Sequence, residues 1–431
     1  MLLFLYNLLL PFFLIVSFPF YLRRMIRRGG YARNFFQRFG FFSHRIKAEL
    51  SKGGWTWIRA VSVGEVLTGL RLAQELQKQD PGCRILISTT TSTGYQLGLD
   101  RTKGWAQVIY SPIDFYPLLR PIWDLVEPKR VVLIDSDLWP SFLAVARENR
   151  TPVFLANARL SPRSESRYRR FRPMAKLLFW NRLTAVLAQD RPDARRWIGL
   201  GLRTEQVSVT GSIKYDTEGA TQEPNLRFVR WLEERGIDSP RPRLLGGSLH
   251  PGEEELLITV FQLLRTDFPD LFLVLVPRHF ERTPEVETLL RSHSIPYALR
   301  SRAEFARDTS ALIVDSTGEL NDFYQTATVV VIGKSFRGIG GQNPVEPILA
   351  GKPVVCGPHM ENFKFLVAEL VREGGIKQLT ADAELAPAVR HLLTNPKSAA
   401  QLVSNADRVL THHHGATARA AALVLEPGES W

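Results

Sequence analysis

The sequence predicts an α/β protein made of two Rossmann-like domains that face each other across a cleft. Short apolar runs alternate with amphipathic helical segments along the chain, which is typical of parallel sheets covered by helices on both faces. The alternation pauses at a polar, proline-bearing stretch over residues 216–240. The chain has 431 residues, which is more than one hydrophobic core usually serves.

The N-terminal stretch is apolar. Residues 1–22 carry no charged side chain, and four arginines follow at positions 23, 24, 27 and 28. A helix of this length reaches about 30 Å, one hydrocarbon thickness. A signal peptide needs basic residues before its apolar run, so we expect an uncleaved membrane anchor, with residues 23–431 in the cytoplasm. Polar residues and prolines interrupt the run, which leaves open whether the helix spans the bilayer or lies in one leaflet.

The first domain is expected over residues 23–215. Seven apolar runs predict its strands: TWIRAVS, RILISTT, AQVIYS, RVVLID, PVFLANA, TAVLAQ and VSVTG. Segments such as EVLTGLRLAQELQKQ have the apolar spacing of helices and lie between these runs. This order of elements predicts a doubly wound parallel sheet.

The second domain is expected over residues 241–431, after a linker with one helix at 216–240. Its strand candidates are RLLGGS, LFLVLVP, ALIVDS, TVVVIGK and KPVVCGP. The last helix of the chain is a candidate to pack back on the first domain. Cys83 and Cys356 lie in or beside apolar runs, which predicts two buried free thiols.

The net charge of +12 favours an anionic partner. The arginine-rich stretch at 159–172 is either a solvated loop or a surface that faces anionic lipid. Beside an apolar N-terminus, membrane lipid is the favoured partner. Nucleic acid is not expected, because no recognised nucleic-acid module is present.

Glu65 directly follows the first predicted strand and opens a helix. A helix N-terminus stabilises a carboxylate, so one interpretation is capping. The other is a general base that takes a proton from an attacking hydroxyl, since ligands of open parallel sheets bind beyond the carboxyl ends of the strands. The sequence alone leaves both open.

Other charged residues also follow strands. Asp135 and Asp137 come after RVVLI, where they form either a metal site or a helix cap. Lys214 and Arg278 follow strands of different domains. Each is either a phosphate-binding cation or a solvated charge at the rim.

The most informative stretch is GKSFRGIGGQNPVEPILAGKPVV, read as strand, glycine-rich loop, helix and strand. Its glycines allow close approach of a ligand, and the helix N-terminus offers free amides to an anion. Asn343 is expected to cap this helix and Pro344 to take its first position. Glu346 either closes a capping box or binds ribose hydroxyls. Gly318, Glu319 and Leu320 form a similar strand–helix junction.

Seven motifs occur in an order that resembles one family: VSVGEV, LWPSFL, NARLSPRS, TGSIKYD, VPRHFER, DSTGEL and GGQNPVEPILAGKPVVCGPHMENF. Together they resemble the 3-deoxy-D-manno-octulosonic acid (Kdo) transferases of lipopolysaccharide assembly. The resemblance implies a GT-B glycosyltransferase at the cytoplasmic face of the inner membrane. It implies CMP-Kdo as donor and a lipid A precursor, lipid IVA, as acceptor.

Carried onto this chain, the resemblance implies Glu65 as the catalytic base, with Asp135 and Lys214 as further catalytic residues. It places donor contacts on Pro277, Arg278, Gly318, Glu319, Leu320, Asn343, Pro344, Val345 and Glu346. Two positions depart from the family: aspartates replace glutamates in DSDLWP, and Gln342 replaces a histidine. The family's acids at this place are not metal ligands, so we expect an inverting reaction without a metal or other cofactor.

Three other functions compete with this interpretation. A membrane-bound GT-B transferase that uses a UDP-sugar has the same architecture. A sugar-nucleotide epimerase of similar fold needs neither an anchor nor a basic loop. A lipid-binding protein without activity is the third alternative.

Overall fold

A computed structural model describes residues 1–28, 34–216, 226–238, 241–302 and 305–426. Within the predicted linker at 216–240, residues 217–225 and 239–240 lie outside these ranges, and the one predicted helix is found at Arg227–Glu233. The chain divides into two compact units: Met1–Glu218 with His413–Trp431 form the first, and Gly219–His412 form the second. Each unit contains one seven-stranded sheet, and every strand pair in both sheets is parallel. The predicted α/β class is therefore confirmed.

The first sheet contains all seven strands that the sequence predicts. They are β1 (Trp55–Ala60), β2 (Arg84–Thr89), β3 (Gln107–Tyr110), β4 (Pro128–Ile134), β5 (Val153–Ala158), β6 (Ala185–Ala188) and β7 (Val207–Val209). Their order is β3-β2-β1-β4-β5-β6-β7. The order reverses between β1 and β4, and a crevice at such a reversal is where open α/β sheets bind ligands.

The described residues of the first unit contain ten helices. They are α1 (Leu2–Arg28), α2 (His44–Leu50), α3 (Val63–Gln79), α4 (Ser92–Thr102), α5 (Tyr116–Val126), α6 (Pro140–Glu148), α7 (Pro162–Arg170), α8 (Arg172–Leu178), α9 (Arg191–Gly199) and α18 (Ala416–Leu425). The C-terminal helix α18 packs against α3. Asp216 fixes its start by accepting hydrogen bonds from the N–H groups of Gly415 (2.8 Å) and Thr417 (2.7 Å).

One side of the first sheet is packed by aromatic rings. Trp57 of β1, Trp123 of α5 and Phe142 of α6 are buried, with ring centroids 5.1–5.6 Å apart. Such offset and edge-to-face contacts add to the stabilisation from burial alone. They fix α5 and α6 against β1, and thereby fix the carboxyl edge that carries the predicted catalytic residues.

The second sheet contains β8 (Arg243–Leu249), β9 (Phe272–Pro277), β10 (Tyr297–Leu299), β11 (Ala311–Ile313), β12 (Val329–Ile332), β13 (Val354–Cys356) and β14 (Lys377–Gln378). Its order is β10-β11-β9-β8-β12-β13-β14. The five predicted strands are confirmed. The two edge strands, β10 and β14, were not predicted. Both cysteines are buried and free, as expected.

In the part of the second unit that the structure describes, eight helices accompany the sheet. They are α10 (Arg227–Glu233), α11 (Glu253–Leu264), α12 (Thr283–Ser292), α13 (Leu320–Tyr324), α14 (Val345–Leu349), α15 (Lys364–Arg372), α16 (Leu385–Thr394) and α17 (Pro396–Thr411). The strand order reverses between β8 and β12. The glycine-rich loop follows β12, so it lies at the position expected for a ligand site in this unit.

The N-terminal helix α1 is longer than the predicted 1–22 anchor and continues to Arg28. Large apolar side chains on it are exposed, at positions 4, 5, 8, 9, 12, 13, 15 and 16. Across the parts of the chain that the structure describes, no helix combines the length and apolar character needed to cross a membrane. The membrane anchor stays a prediction.

Candidate active site

Glu65 lies in the first turn of α3, immediately after β1. Its Oε2 accepts the N–H of Val61 at 2.7 Å, and its Oε1 accepts the hydroxyl of Ser62 at 2.9 Å. Ser62 Oγ in turn accepts the N–H of Glu65 at 3.3 Å. Ser62 is thus the N-cap of α3, and the Glu65 carboxylate lies in the first helical turn, as the capping interpretation expected. The bonds from Val61 and Ser62 hold this carboxylate at the end of β1.

The surroundings of Glu65 favour a proton acceptor. Burial raises the pKa of its carboxyl above the ordinary glutamate value, and the nearby charges of Asp135 and Asp137 raise the pKa further. The hydrogen bonds from Val61 and Ser62 oppose this rise. A carboxylate with a raised pKa is a stronger base than a solvated one, which suits proton abstraction from a hydroxyl.

Asp135 follows β4, next to β1 in the sheet, and adopts a left-handed backbone conformation with φ of 61°. Asn157, at the end of β5, donates from Nδ2 to Asp135 Oδ1 at 2.6 Å. Burial raises the pKa of Asp135, whereas the bond from Asn157 and the charges of Arg159 and Lys214 lower it. Asp135 is thus an anion held between an amide and two cations.

Lys214 lies in a 3₁₀ turn at Ile213–Tyr215, directly after β7. Asn157 also fixes this turn, because its Oδ1 accepts the N–H of Ile213 at 3.0 Å. Burial lowers the pKa of Lys214, and the charge of Asp135 opposes that effect. The charge of Asp135 acts on the pKa of both Glu65 and Lys214. The first unit therefore brings its three predicted site residues together.

Asp137 has a different role from Asp135. Its Oδ2 accepts Arg59 Nε at 2.8 Å, and the two side chains are only 6% and 3% exposed. The indole N–H of Trp139 also donates to Asp137. Within the residues described, no group of three or more His, Cys, Asp or Glu side chains is arranged to hold a metal ion. Asp137 thus fixes the buried Arg59 at the end of β1.

In the second unit, cationic side chains gather where β8, β9 and β12 end. Pro277 closes β9, and Arg278 after it is exposed. The rings of His250 and His279 lie 6.5 Å apart. Burial lowers the pKa of His250, the charge of Glu253 opposes this effect, and the charges of Lys334, His279 and Arg278 lower the pKa further. Lys334 and Arg278 are cations that suit a phosphate.

Gly318, Glu319 and Leu320 form the junction between β11 and α13. Gly318 has φ of +81°, in the left-handed region that glycine tolerates. Glu319 accepts Arg300 Nη2 at 3.1 Å and the hydroxyl of Ser316. Leu320 begins α13. The carboxylate of Glu319 is therefore fixed by its own neighbours.

The glycine-rich loop uses its backbone N–H groups for hydrogen bonds within the protein. The N–H groups of residues 334–337 donate to Glu253, Gly340 N–H donates to Glu361, and those of Gly341 and Gln342 donate to backbone oxygens. A Cβ on Gly341 would overlap the sulfur of Met360. The glycine there serves packing inside the protein, and side chains are left to meet a ligand.

The helix after this loop begins at Val345, one residue later than expected, so Pro344 precedes it. Pro344 is therefore the N-cap instead of the predicted Asn343, whose Oδ1 accepts the N–H of Val345 at 3.1 Å from the position before the cap. Asn343 Nδ2 donates to Glu346 Oε1 at 3.0 Å. Asn343 and Glu346 thus form one polar pair at the carboxyl edge of the second sheet.

Comparison with known proteins decides the family. A family model described as 3-deoxy-D-manno-octulosonic-acid transferase (kdotransferase) matches residues 33–217. The 3-deoxy-D-manno-octulosonic acid transferase of Haemophilus influenzae is 31% identical over 392 residues, which cover 90% of each chain. The transferase of Bordetella pertussis is 32% identical over 95% of this chain and 94% of its own.

The chain belongs to the Kdo transferase family. It is accordingly a glycosyltransferase, as the ordered motifs predicted. A solved UDP-GlcNAc 2-epimerase from Neisseria meningitidis shares the fold, with a TM-score of 0.53 over 86% of this chain and 98% of that chain. Its sequence identity is only 14%, so this likeness concerns fold alone. The epimerase alternative is set aside in favour of the Kdo transferases.

The predicted site residues of this Kdo transferase divide between its two units. Glu65, Asp135 and Lys214 lie in the first, and the predicted donor contacts from Pro277 to Glu346 lie in the second. Sequence reasoning missed Asn157, which is 2% exposed and links Asp135 to the Lys214 turn. The position of Asn157 at the end of an apolar strand was the sequence feature that could have identified it.

Proposed function

We propose that the chain transfers Kdo from CMP-Kdo to a hydroxyl of a lipid A precursor, lipid IVA, with inversion at the anomeric carbon. The observation that carries the proposal is the grouping of Glu65, Asp135 and Lys214 at the carboxyl edge of the first sheet. A half-buried carboxylate with a raised pKa is a suitable base, and the cation Lys214 near Asp135 can stabilise developing negative charge.

Each group has one role in the proposed step. Glu65 accepts the proton of the acceptor hydroxyl while that oxygen bonds to the anomeric carbon. The bond from this carbon to the phosphate oxygen breaks, and CMP leaves with the electron pair. Lys214 stabilises negative charge that develops during transfer, and Arg278 binds the donor phosphate. The charge of Asp135 opposes the lowering of the Lys214 pKa by burial. The proposed step uses no metal.

The donor is proposed to bind the second unit. The cations Lys334 and Arg278 lie near His250 and suit the phosphate of CMP-Kdo, while Glu253 contributes a charge of the opposite sign there. The polar pair Asn343–Glu346 and the fixed carboxylate of Glu319 can accept and donate hydrogen bonds to the ribose and base. A UDP-sugar remains the alternative donor, because the same groups fit its phosphates.

Titration of the full chain with CMP and with UDP distinguishes these donors. We expect CMP to bind at least about tenfold more tightly than UDP, a difference of about 1.4 kcal/mol. Isothermal calorimetry measures both affinities, and a parallel titration in excess EDTA tests for a metal. Tighter binding of UDP would contradict the proposed donor. Loss of CMP binding in EDTA, restored by Mg²⁺, would contradict the metal-free reaction.

We also propose that α1 attaches the enzyme to the cytoplasmic face of the inner membrane. Asn7 holds this helix to the first unit, since its Oδ1 accepts the N–H of Tyr116 (2.8 Å) and the hydroxyl of Ser141 (3.1 Å). The opposite side exposes apolar residues such as Phe12 and Phe13. A helix held alongside a polar domain suits a position in the interface of one leaflet.

The basic helices α7 and α8 support an anionic lipid partner. Exposed arginines at 163, 167, 169, 170 and 172 lie beside exposed Phe171, Met174 and Leu177. Basic and apolar side chains together are typical of surfaces that contact anionic headgroups. Both α1 and α8 pack against α6.

Replacing Phe12 and Phe13 together by aspartate is expected to release the enzyme from anionic vesicles. Two charges on the exposed side of α1 would have to enter the interface, which is unfavourable. Flotation with phosphatidylethanolamine–phosphatidylglycerol vesicles measures the bound fraction. Leu263→Asp, at an exposed position of α11, is the matched control and should float like the wild type. Equal flotation of the double variant would contradict the proposal.

A further inference from the structure

We propose that Glu253 is a positioning residue for the donor site. Its carboxylate holds the segment of residues 333–342, called here the donor loop, in the conformation that binds the nucleotide. The inference rests on the proposed donor function of the second unit. It concerns a residue outside the predicted site, at the start of α11.

Glu253 is 2% exposed, yet it accepts hydrogen bonds from five backbone N–H groups. Its Oε1 accepts three of them, from Ser335 (2.9 Å), Phe336 (3.0 Å) and Arg337 (3.3 Å). Its Oε2 accepts the other two, from Lys334 (2.6 Å) and His250 (2.9 Å). Successive amides that converge in this way form an anion-binding nest.

The nest is thus filled by a side chain of the protein itself. Lys334 has φ of 57°, which turns the successive N–H groups toward one point. Without a negative charge there, buried N–H groups would point at each other without acceptors, and the loop would have to open to hydrate them. The carboxylate therefore decides the conformation of the donor loop before any donor binds.

Glu253 reaches the proposed donor contacts from two sides. One is His250, whose N–H it accepts and whose Nε2 lies 3.2 Å from Gln342 Nε2. The other is the donor loop itself, where the N–H of Gly341 donates to the oxygen of Lys334 at 3.0 Å. Asn343 follows directly in the chain. A shift at residues 334–337 would consequently displace the Asn343–Glu346 pair.

Glu254 provides a matched control on the same helix. It is 0% exposed and pairs with Arg282 at 2.6 Å, so it is also a buried carboxylate whose loss leaves a partner unsatisfied. It has no hydrogen bond to the donor loop among the contacts of the residues described. Loss of stability without loss of nucleotide binding is expected of Glu254→Ala.

The test measures CMP affinity of the full chain by calorimetry. Glu253→Ala removes a fragment the size of acetate and should weaken CMP binding by at least about tenfold, because several hydrogen bonds to a charged acceptor are lost. At equal ionic strength, CMP should bind Glu253→Ala at least about threefold more tightly in 100 mM acetate than in 100 mM chloride. Wild type and Glu254→Ala should not respond to acetate.

Three results would overturn the inference: unchanged CMP affinity in Glu253→Ala, no recovery with acetate, or an equal loss in Glu254→Ala. Should Glu253→Ala fail to fold, Glu253→Gln is measured instead. Its amide group turns a donor toward the nest, so weaker CMP binding supports the inference and wild-type affinity overturns it. Absence of CMP binding by the wild type would instead contradict the proposed donor.

Discussion

Replacing Glu65 by glutamine is expected to lower kcat by about two orders of magnitude or more while CMP affinity stays unchanged. Glutamine cannot accept the proton of the acceptor hydroxyl. Its amide oxygen can still accept a hydrogen bond from Val61 or Ser62 at the start of α3. Steady-state kinetics with CMP-Kdo and calorimetry with CMP measure the two effects. Near-normal turnover would remove Glu65 as the base.

The matched control is Ser62→Ala, which removes the capping hydroxyl and keeps the carboxylate. It should cost about 1 kcal/mol of unfolding free energy and lower kcat far less than Glu65→Gln does. The Ser62→Ala substitution should also change the pH dependence of activity. The Ser62 hydroxyl lowers the pKa of Glu65, so its removal raises that pKa.

A base works only when deprotonated, so activity falls as pH drops through the raised pKa of Glu65. The acidic limb of the kcat/KM profile should move to higher pH in Ser62→Ala and disappear in Glu65→Gln. A limb that stays in place in both variants would assign it to another group.

Replacing Lys214 by methionine is expected to lower kcat by about two to three orders of magnitude, the usual effect of removing one charge-stabilising group from an active site. Methionine keeps much of the length and removes the charge. Its loss also raises the pKa of Asp135 further, because Lys214 is one of the cations that lower it. Single-turnover rates with CMP-Kdo measure the chemical step.

The control for Lys214→Met is Lys78→Met on α3, whose side chain is 69% exposed. It removes the same charge from the surface of the first unit and should leave kcat within about threefold, because exposed charges interact weakly. A thermal melt of both variants separates misfolding from lost catalysis. Normal single-turnover rates in a folded Lys214→Met variant would exclude a role in the transition state.

The strands were predictable because their patterns are strong. Each strand of the first sheet is an apolar run in a doubly covered sheet, and the sequence shows all of them. The missed strands β10 and β14 have three and two residues and lie at the edges of the second sheet. Runs of two or three residues are too short to show a hydrophobic periodicity. Edge strands also need few apolar residues.

Residues of the candidate site were predictable only where a charged side chain comes soon after a predicted strand. Glu65, Asp135 and Lys214 could be found in this way, and the structure brings them together. Asn157 and Glu253 could not. Their roles depend on hydrogen bonds to residues 22 and 82 positions away in the chain, which only the folded structure supplies.

The anion site expected at the helix N-terminus after the glycine-rich loop stays a prediction, whereas the loop itself surrounds an anion of the protein. Glycine spacing suggests an anion-binding loop, but it does not say which anion fills it. In the folded chain a carboxylate from α11 occupies that position. Sequence patterns therefore locate such loops better than they identify their ligands.

Mass spectrometry of lipid IVA after incubation with the enzyme and CMP-Kdo tests the proposed function most directly. The proposal predicts product lipid heavier by one or more Kdo residues, with CMP released in equal amount and no product from the Glu65→Gln variant at matched times. Unmodified lipid with CMP-Kdo, together with sugar transfer from a UDP-sugar, would contradict it.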